Sequence, residues 1–197
     1  VSELFGLGGL ARAGKDTVAD YLVSGYGFVK IGMSDPLWDV LLTLDPVVEF
    51  VYTGLEHVTP ERRVSDILDM LNDDRTEAKS QFPEIRRLLQ VLGTEVGRAI
   101  DEDLWVNLML DKVTETMNRG SSVVVTGIRF PNELEAIGAA GGWTVWVERA
   151  AEGVGAGNHA SETSVEDADF EILIENNGTL GALYHQVDRF LGEASIR

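Results

Sequence analysis

The chain has 197 residues, 44% of them apolar, and its 33 acidic against 16 basic residues give a formal charge of −17. That length suits one α/β domain carrying an insertion, and the charge argues against DNA, RNA or an anionic lipid surface as a partner. No apolar run approaches a bilayer span and cysteine is absent, which excludes a transmembrane helix and a disulfide framework.

The first residues, Val1 to Phe5, lack a basic n-region, so a cytoplasmic location is expected. Only four lysines occur (Lys15, Lys30, Lys79, Lys112), so an anionic ligand has to be met by a few locally placed cations rather than by a basic surface.

Residues 4–7 read as a short strand, followed by a glycine-rich turn and then a helix over 16–26, with Val18, Ala19, Leu22, Val23 and Tyr26 at helical spacing. A second strand is predicted at 28–33, after which Ser34 or Asp35 is placed to cap a helix carrying Leu37, Val40, Leu41 and Leu44. From 45 to 74 the pattern weakens around Pro46, Gly54 and Pro60, leaving one helix near 61–71. Pro83 opens a long helix on which Ile85, Leu88, Leu89, Leu92, Val96 and Ala99 form a single apolar stripe, and another helix covers about 104–117.

The valine run within 121–128 reads as a strand buried on both faces. A helix over 131–140, strands at 143–147 and 170–174 and a helix over 179–191 complete the pattern. The glycine-rich segment 150–167 interrupts it and is read as a short lid. Alternating strands and helices predict a three-layer α/β/α fold around a parallel sheet, whose ligand site lies at the carboxyl ends of the strands. The expected organisation is one domain, 1–197, with a helical substrate-binding insertion at about 45–118.

One of those strand ends carries a motif. Gly9-Leu-Ala-Arg-Ala-Gly14-Lys15 fits G-x-x-x-x-G-K, in which main-chain N–H groups from Gly9 through Ala11, Ala13 and Gly14 wrap phosphate oxygens and the lysine neutralises them. The hydroxyl that usually follows the lysine and holds Mg²⁺ is displaced by one position, with Asp16 in its place and Thr17 next. Two readings of Asp16 stand open: a Mg²⁺ ligand assisted by Thr17, or an acid favoured by the dipole of the first helical turn. The three histidines are too scattered for a metal site.

The loop (9–17), Ser34-Asp35-Pro36-Leu37, the block from Leu88 to Arg98 with its Leu-Gly-Thr-Glu core, Asp103-Leu104-Trp105-Val106, Thr126 to Glu133 with its Arg-Phe-Pro-Asn-Glu core, His159-Ala-Ser-Glu162 and Asn176-Asn-Gly-Thr179 occur in an order that resembles the bacteriophage deoxynucleoside monophosphate kinases over nearly the whole chain. The resemblance implies a P-loop kinase that moves the γ-phosphoryl group of ATP, with Mg²⁺, to a deoxynucleoside 5′-monophosphate, in the host cytoplasm if the chain is phage-encoded. It also implies a homodimer, and in such kinases Gly-Lys-Asp-Thr is itself a usual form of the loop.

On this view Lys15 bridges the β- and γ-phosphates, Arg12 and Arg129 approach the transferring group, and Asn177 joins the donor site. Asp35, Trp105, Arg98, Arg129, Glu133, Arg149, His159, Ser161 and Glu162 are the candidates for holding the acceptor. Several bland alternatives stay open: Asp35 as a helix cap, Trp105 as core, Arg98 in a surface ion pair, Arg12 at the rim, and Glu133 as either an orienter of Arg129 or an ordinary first-turn acid. Gly127 stands where related kinases can show Asp, so Asp16 is expected to carry part of that duty. A kinase of another phosphorylated metabolite, such as phosphomevalonate or dephospho-coenzyme A, and a non-catalytic nucleotide-binding module are the competing functions.

Overall fold

In strand β1 (Leu4–Gly8) successive side chains must leave opposite faces of the sheet, and the two faces meet different partners. Phe5 and Leu7 join Val18, Ala19, Leu22, Phe190 and Leu191 in one apolar cluster, whereas Leu4 joins Val106, Met109, Val113 and Ile137 in another. This computed structural model describes residues 2–50, 61–150, 165–166 and 169–194.

The chain divides into two compact units, Val1–Met33 with Val106–Arg197, and Ser34–Trp105. In chain order the elements of the first unit begin with β1, α1 (Lys15–Tyr26) and β2 (Val29–Gly32). The second unit holds α2 (Asp35–Leu44), β3 (Val47–Phe50), β4 (Glu61–Arg63), α3 (Val64–Met70), α4 (Arg75–Gln81), α5 (Pro83–Gln90), a π-helical stretch (Val91–Gly97) and the short α6 (Arg98–Ile100). Then come α7 (Leu104–Asn118), β5 (Val123–Ile128), α8 (Pro131–Ala139), β6 (Trp143–Glu148), β7 (Ile172–Glu175) and α9 (Leu180–Ala194).

The first unit is built on a five-stranded sheet of order β2-β5-β1-β6-β7, parallel at every pairing. Helices α1 and α9 cover one face and α7 and α8 the other, so the predicted three layers are present. Val123, Val124 and Val125 are fully buried because both faces of β5 are covered. Phe5 anchors one layer, stacked on Phe28 at 5.3 Å and edge-on to Phe190 at 4.6 Å; burying one such ring contributes about 1.5–3 kcal/mol.

The second unit has its own core, formed by Trp38, Leu41, Val64, Ile67, Leu68, Phe82, Ile85 and Leu89. It begins earlier and ends sooner than the expected insertion of about 45–118. The apolar side of α2 belongs to this core, while Val106, Met109 and Val113 of α7 pack on the sheet. Within the weakly patterned segment, β3 and β4 pair as an antiparallel ribbon.

The long apolar stripe breaks after α5. A π-helix hydrogen-bonds i to i+5, so each such turn holds an additional residue and rotates those beyond it off the α-helical face. Val96 is accordingly 44% exposed and Ala99 is exposed, while Gly93 and Gly97 face inward. Among the described residues no helix is long and apolar enough to cross a membrane.

Candidate active site at the glycine-rich loop

The loop joining β1 to α1 turns through three left-handed residues, Gly9 (φ 138°), Arg12 (φ 64°) and Gly14 (φ 106°). At both glycines a side chain is excluded twice over, by the backbone angle and by space. A β-carbon on Gly9 would strike the Val147 carbonyl oxygen, and one on Gly14 would strike the Asn176 side chain. Arg12 has no such exemption, so its left-handed backbone is held by the loop around it.

Gly14 is the residue before α1, which leaves the N–H groups of Lys15, Asp16 and Thr17 without acceptors inside the helix. The N–H groups of a first helical turn, a positive helix end and a lysine at one place suit a phosphate. The Lys15 ammonium curls back over the loop, donating to the carbonyl oxygens of Gly9 (2.8 Å) and Leu10 (2.7 Å).

Two cavities share Lys15. The larger, about 380 Å³, is lined by Arg12, Gly14, Lys15, Asp16, Thr17, Arg149, Asn176, Gly178 and Leu180. The smaller, about 40 Å³, is lined by Gly9, Leu10, Ala11, Lys15, Gly127, Ile128, Arg129, Trp146 and Val165. The first unit thus brings Arg12, Gly14, Lys15, Asp16 and Thr17 to the larger cavity and Gly9, Ala11, Lys15 and Arg129 to the smaller; Arg149, expected at the acceptor, lines the larger cavity instead, beside Asp16 and Thr17. Ala13 is fully buried, and its carbonyl accepts a hydrogen bond from the Asn176 amide at 2.9 Å.

Charge is distributed unevenly around these cavities. Arg62, Arg75, Arg87, Arg98 and Arg119 each pair with a carboxylate. Among the described residues Arg12, Arg129 and Arg149 pair with none, although the chain carries a charge of −17. In a protein with so many carboxylates, three guanidinium groups beside one loop that pair with none among the described residues suit an anion.

Arg129 follows β5 at a bulge. The β1–β5 register slips between Leu7, opposite Thr126, and Gly8, opposite Ile128, leaving Gly127 as the additional residue at φ 87°. Beyond the bulge Glu133 is buried, and one carboxylate oxygen accepts the main-chain N–H groups of Arg129 (2.8 Å) and Phe130 (3.2 Å). Glu133 therefore departs from the substrate-binding expectation. Its side chain turns onto the backbone and fixes the turn that presents Arg129.

Two further expectations are corrected. Trp105 is buried, its indole N–H donates to the Gly93 carbonyl at 2.9 Å, and its ring lies against Gly97, so it is core rather than an open stacking surface. The asparagine at the large cavity is Asn176, not Asn177, whose side-chain oxygen accepts from the Ala150 N–H at 2.7 Å. Asn176 extends the strand by donating its N–H to Glu148, which aims its amide at the loop.

In the second unit Asp35 lies 3.6 Å from Arg75, whose guanidinium sits over Trp38 at 5.5 Å. The Ser34 side chain makes no cap hydrogen bond to α2. Arg98 is largely buried and bonded to Glu102 at 3.2 Å. His159, Ser161 and Glu162, and all of the expected 150–167 lid except 150 and 165–166, lie outside the described residues.

Lys30, which the sequence did not single out, bonds Asp16 at 2.9 Å and Asp20 at 3.1 Å. Burial pushes its ammonium down, but the hydrogen bonds it donates to Asp16 and Asp20 outweigh that and hold it above the ordinary lysine value. Among the described residues no group of three or more His, Asp or Glu could hold a metal. Asp16 and Thr17 at the cavity wall nevertheless fit Mg²⁺, which commonly takes one or two protein ligands and completes its shell with phosphate oxygens and water.

The deoxynucleotide monophosphate kinase of Escherichia phage RB69 is 24% identical over 243 aligned residues, covering 96% of this chain and 99% of that protein. The enzyme of the same name from Enterobacteria phage T4 is 24% identical, with 96% and 98% covered. An uncharacterised protein of Ictalurid herpesvirus 1 is 35% identical over 112 residues, a match spanning 55% of this chain and about half (49%) of that protein. Among solved structures, a dephospho-CoA kinase from Campylobacter jejuni shares the fold, with a TM-score of 0.50, 12% identity and 99% and 98% of the two chains covered. The deoxynucleotide monophosphate kinase model matches residues 50–187, and the chain belongs to that family of kinases.

Proposed function

We propose that the chain transfers the γ-phosphoryl group of ATP to a deoxynucleoside 5′-monophosphate, and that the cations at the loop carry out the electrostatic part of that transfer. An acceptor phosphate oxygen forms the new bond to the γ-phosphorus, the bond from that phosphorus to the β–γ bridging oxygen breaks, and ADP leaves. Such a transfer needs alignment and charge neutralisation rather than a protein nucleophile.

Main-chain N–H groups of the loop hold the donor phosphates, and Lys15, which lines both cavities, spans the donor and transferring groups. Arg129 in the smaller cavity and Arg12 in the larger meet the charge that develops on the transferring group. Arg149 and Asn176 line the donor side. Asp16 and Thr17 would hold Mg²⁺, which would supply positive charge to offset that of the phosphates. Asp35 and Arg98 are assigned to the acceptor.

The observation that carries the reading is the coincidence of three arginines, without an ion pair among the described residues, with a left-handed glycine loop at the carboxyl end of a parallel sheet. The test offers ATP and Mg²⁺ with dTMP, dGMP, dCMP, dAMP, a hydroxymethylated deoxynucleotide, phosphomevalonate and dephospho-coenzyme A, and separates the products. A deoxynucleoside diphosphate is expected, and Lys15→Ala should lower turnover on the order of 10²-fold or more. Near-normal turnover in that variant, or product only from a non-nucleotide acceptor, would overturn the assignment.

A further inference from the structure

Asp16 presents a physical difficulty. It is the second residue of α1, it lines the larger cavity, and its side chain is 74% exposed. A carboxylate there suits the helix dipole but repels the polyphosphate that the same helix end is built to hold. Asp20, one turn further along, adds to the negative charge.

The cation that answers it is Lys30. It stands on β2, the edge strand of the sheet, where Ile31 turns into the core and Lys30 reaches across to α1. The other cations near the loop do not serve Asp16. Lys15 is turned onto the carbonyls of Gly9 and Leu10, and Arg12 and Arg149 make no ion pair among the described residues. With Lys30 the group Asp16–Lys30–Asp20 carries one net negative charge; without it, two.

We infer that Lys30 is a positioning residue of the donor site: by pairing with Asp16 it supplies the counter-charge that allows ATP to enter before a metal ion does. The inference rests on the larger cavity being the donor site. It assigns to a side chain on the neighbouring strand the screening that Mg²⁺ supplies once bound. Lys30 therefore matters most when no metal is present, which a purely structural ion pair would not explain.

The experiment is calorimetric titration of the full chain with ATP, in EDTA and in saturating MgCl₂. Lys30→Met should raise the ATP Kd about fivefold in EDTA and less than about twofold with Mg²⁺, as expected for one unscreened charge at an open cavity mouth. Lys30→Arg should bind like the parent. In an Asp16→Asn background, Lys30→Met should shift Kd less than about twofold in either buffer, because the cycle isolates the pair.

An unchanged Kd in EDTA, an equal loss with and without Mg²⁺, or a loss that persists in the Asp16→Asn background would each overturn the inference. Lys15→Ala separates the two levels. If it binds ATP normally, the donor-site reading fails and the Lys30 inference falls with it; if it loses binding while Lys30→Met does not, only the role of Lys30 is refuted.

Discussion

Replacing Glu133 with Ala removes the acceptor of two main-chain N–H groups, those of Arg129 at 2.8 Å and Phe130 at 3.2 Å, from a position that is 6% exposed. A buried donor left unpaired costs about 1–3 kcal/mol. Both donors are only partly buried, so water recovers part of the loss and the total should be about 2–3 kcal/mol. For a chain of this length that lowers Tm by roughly 5–10 °C, measurable by circular dichroism. Turnover should fall about tenfold or more, because the loosened turn no longer fixes the Arg129 guanidinium.

Glu133→Gln keeps one carbonyl oxygen for both donors and should recover most of the melting temperature and turnover to within about threefold. An Ala variant that melts and turns over like the parent would refute the reasoning. A Gln variant that is stable yet as slow as Ala would show instead that the carboxylate itself meets the substrate.

Gly97→Ala would put a β-carbon among three atoms of the Trp105 indole, which its bond to the Gly93 carbonyl prevents from retreating. Overpacking and loss of that bond together should cost about 2–4 kcal/mol in urea unfolding, with partial relief by a second change, Trp105→Leu; an unchanged midpoint would refute the packing argument. Tyr21 and Tyr26 both donate to one oxygen of Asp188, at 2.7 and 2.6 Å, and those hydrogen bonds raise both phenol pKa values. Their contribution to stability is therefore present below the ordinary tyrosine pKa and lost as pH rises through the raised values. In an absorbance titration near 295 nm, two of the four tyrosines should ionise late, and earlier in Asp188→Asn than in the parent; coincident titration of parent and variant would refute the cluster.

What could be read from the sequence was whatever local chemistry decides. The loop glycines, the valine-rich β5 and the helical spacing of α1 each state their conformation within a few residues, and the parallel sheet follows from their alternation. The π-helical stretch was not legible, because Leu92, Val96 and Ala99 keep an α-helical period in sequence while buried Gly93 and Gly97 and the Trp105 indole set the actual one. The β3–β4 ribbon escaped notice because its strands are only 4 and 3 residues long. Asn176 and Asn177 are adjacent and chemically identical, so only the direction in which the chain leaves β7 distinguishes the one at the cavity. Lys30 gave no local signal, since it meets Asp16 and Asp20 through the packing of an edge strand beside a helix.

The same tertiary logic explains why β5 ends without an acid. Gly127 is not simply a lost aspartate: it is the additional residue of a bulge, at φ 87°, and any other residue there would incur about 1 kcal/mol or more of backbone strain. The bulge carries the chain on to Arg129, so β5 ends on a cation facing the smaller cavity rather than on a carboxylate. On the function proposed above, the acid that meets the metal then has to come from elsewhere along the same phosphates, and the first turn of α1 provides it as Asp16. An acid in that turn opposes the donor whenever the metal is absent, so it requires a counter-ion from outside the loop. Glycine at the bulge, aspartate after the lysine and lysine on the edge strand therefore form one coupled arrangement, in which changing the first alters what the other two must do.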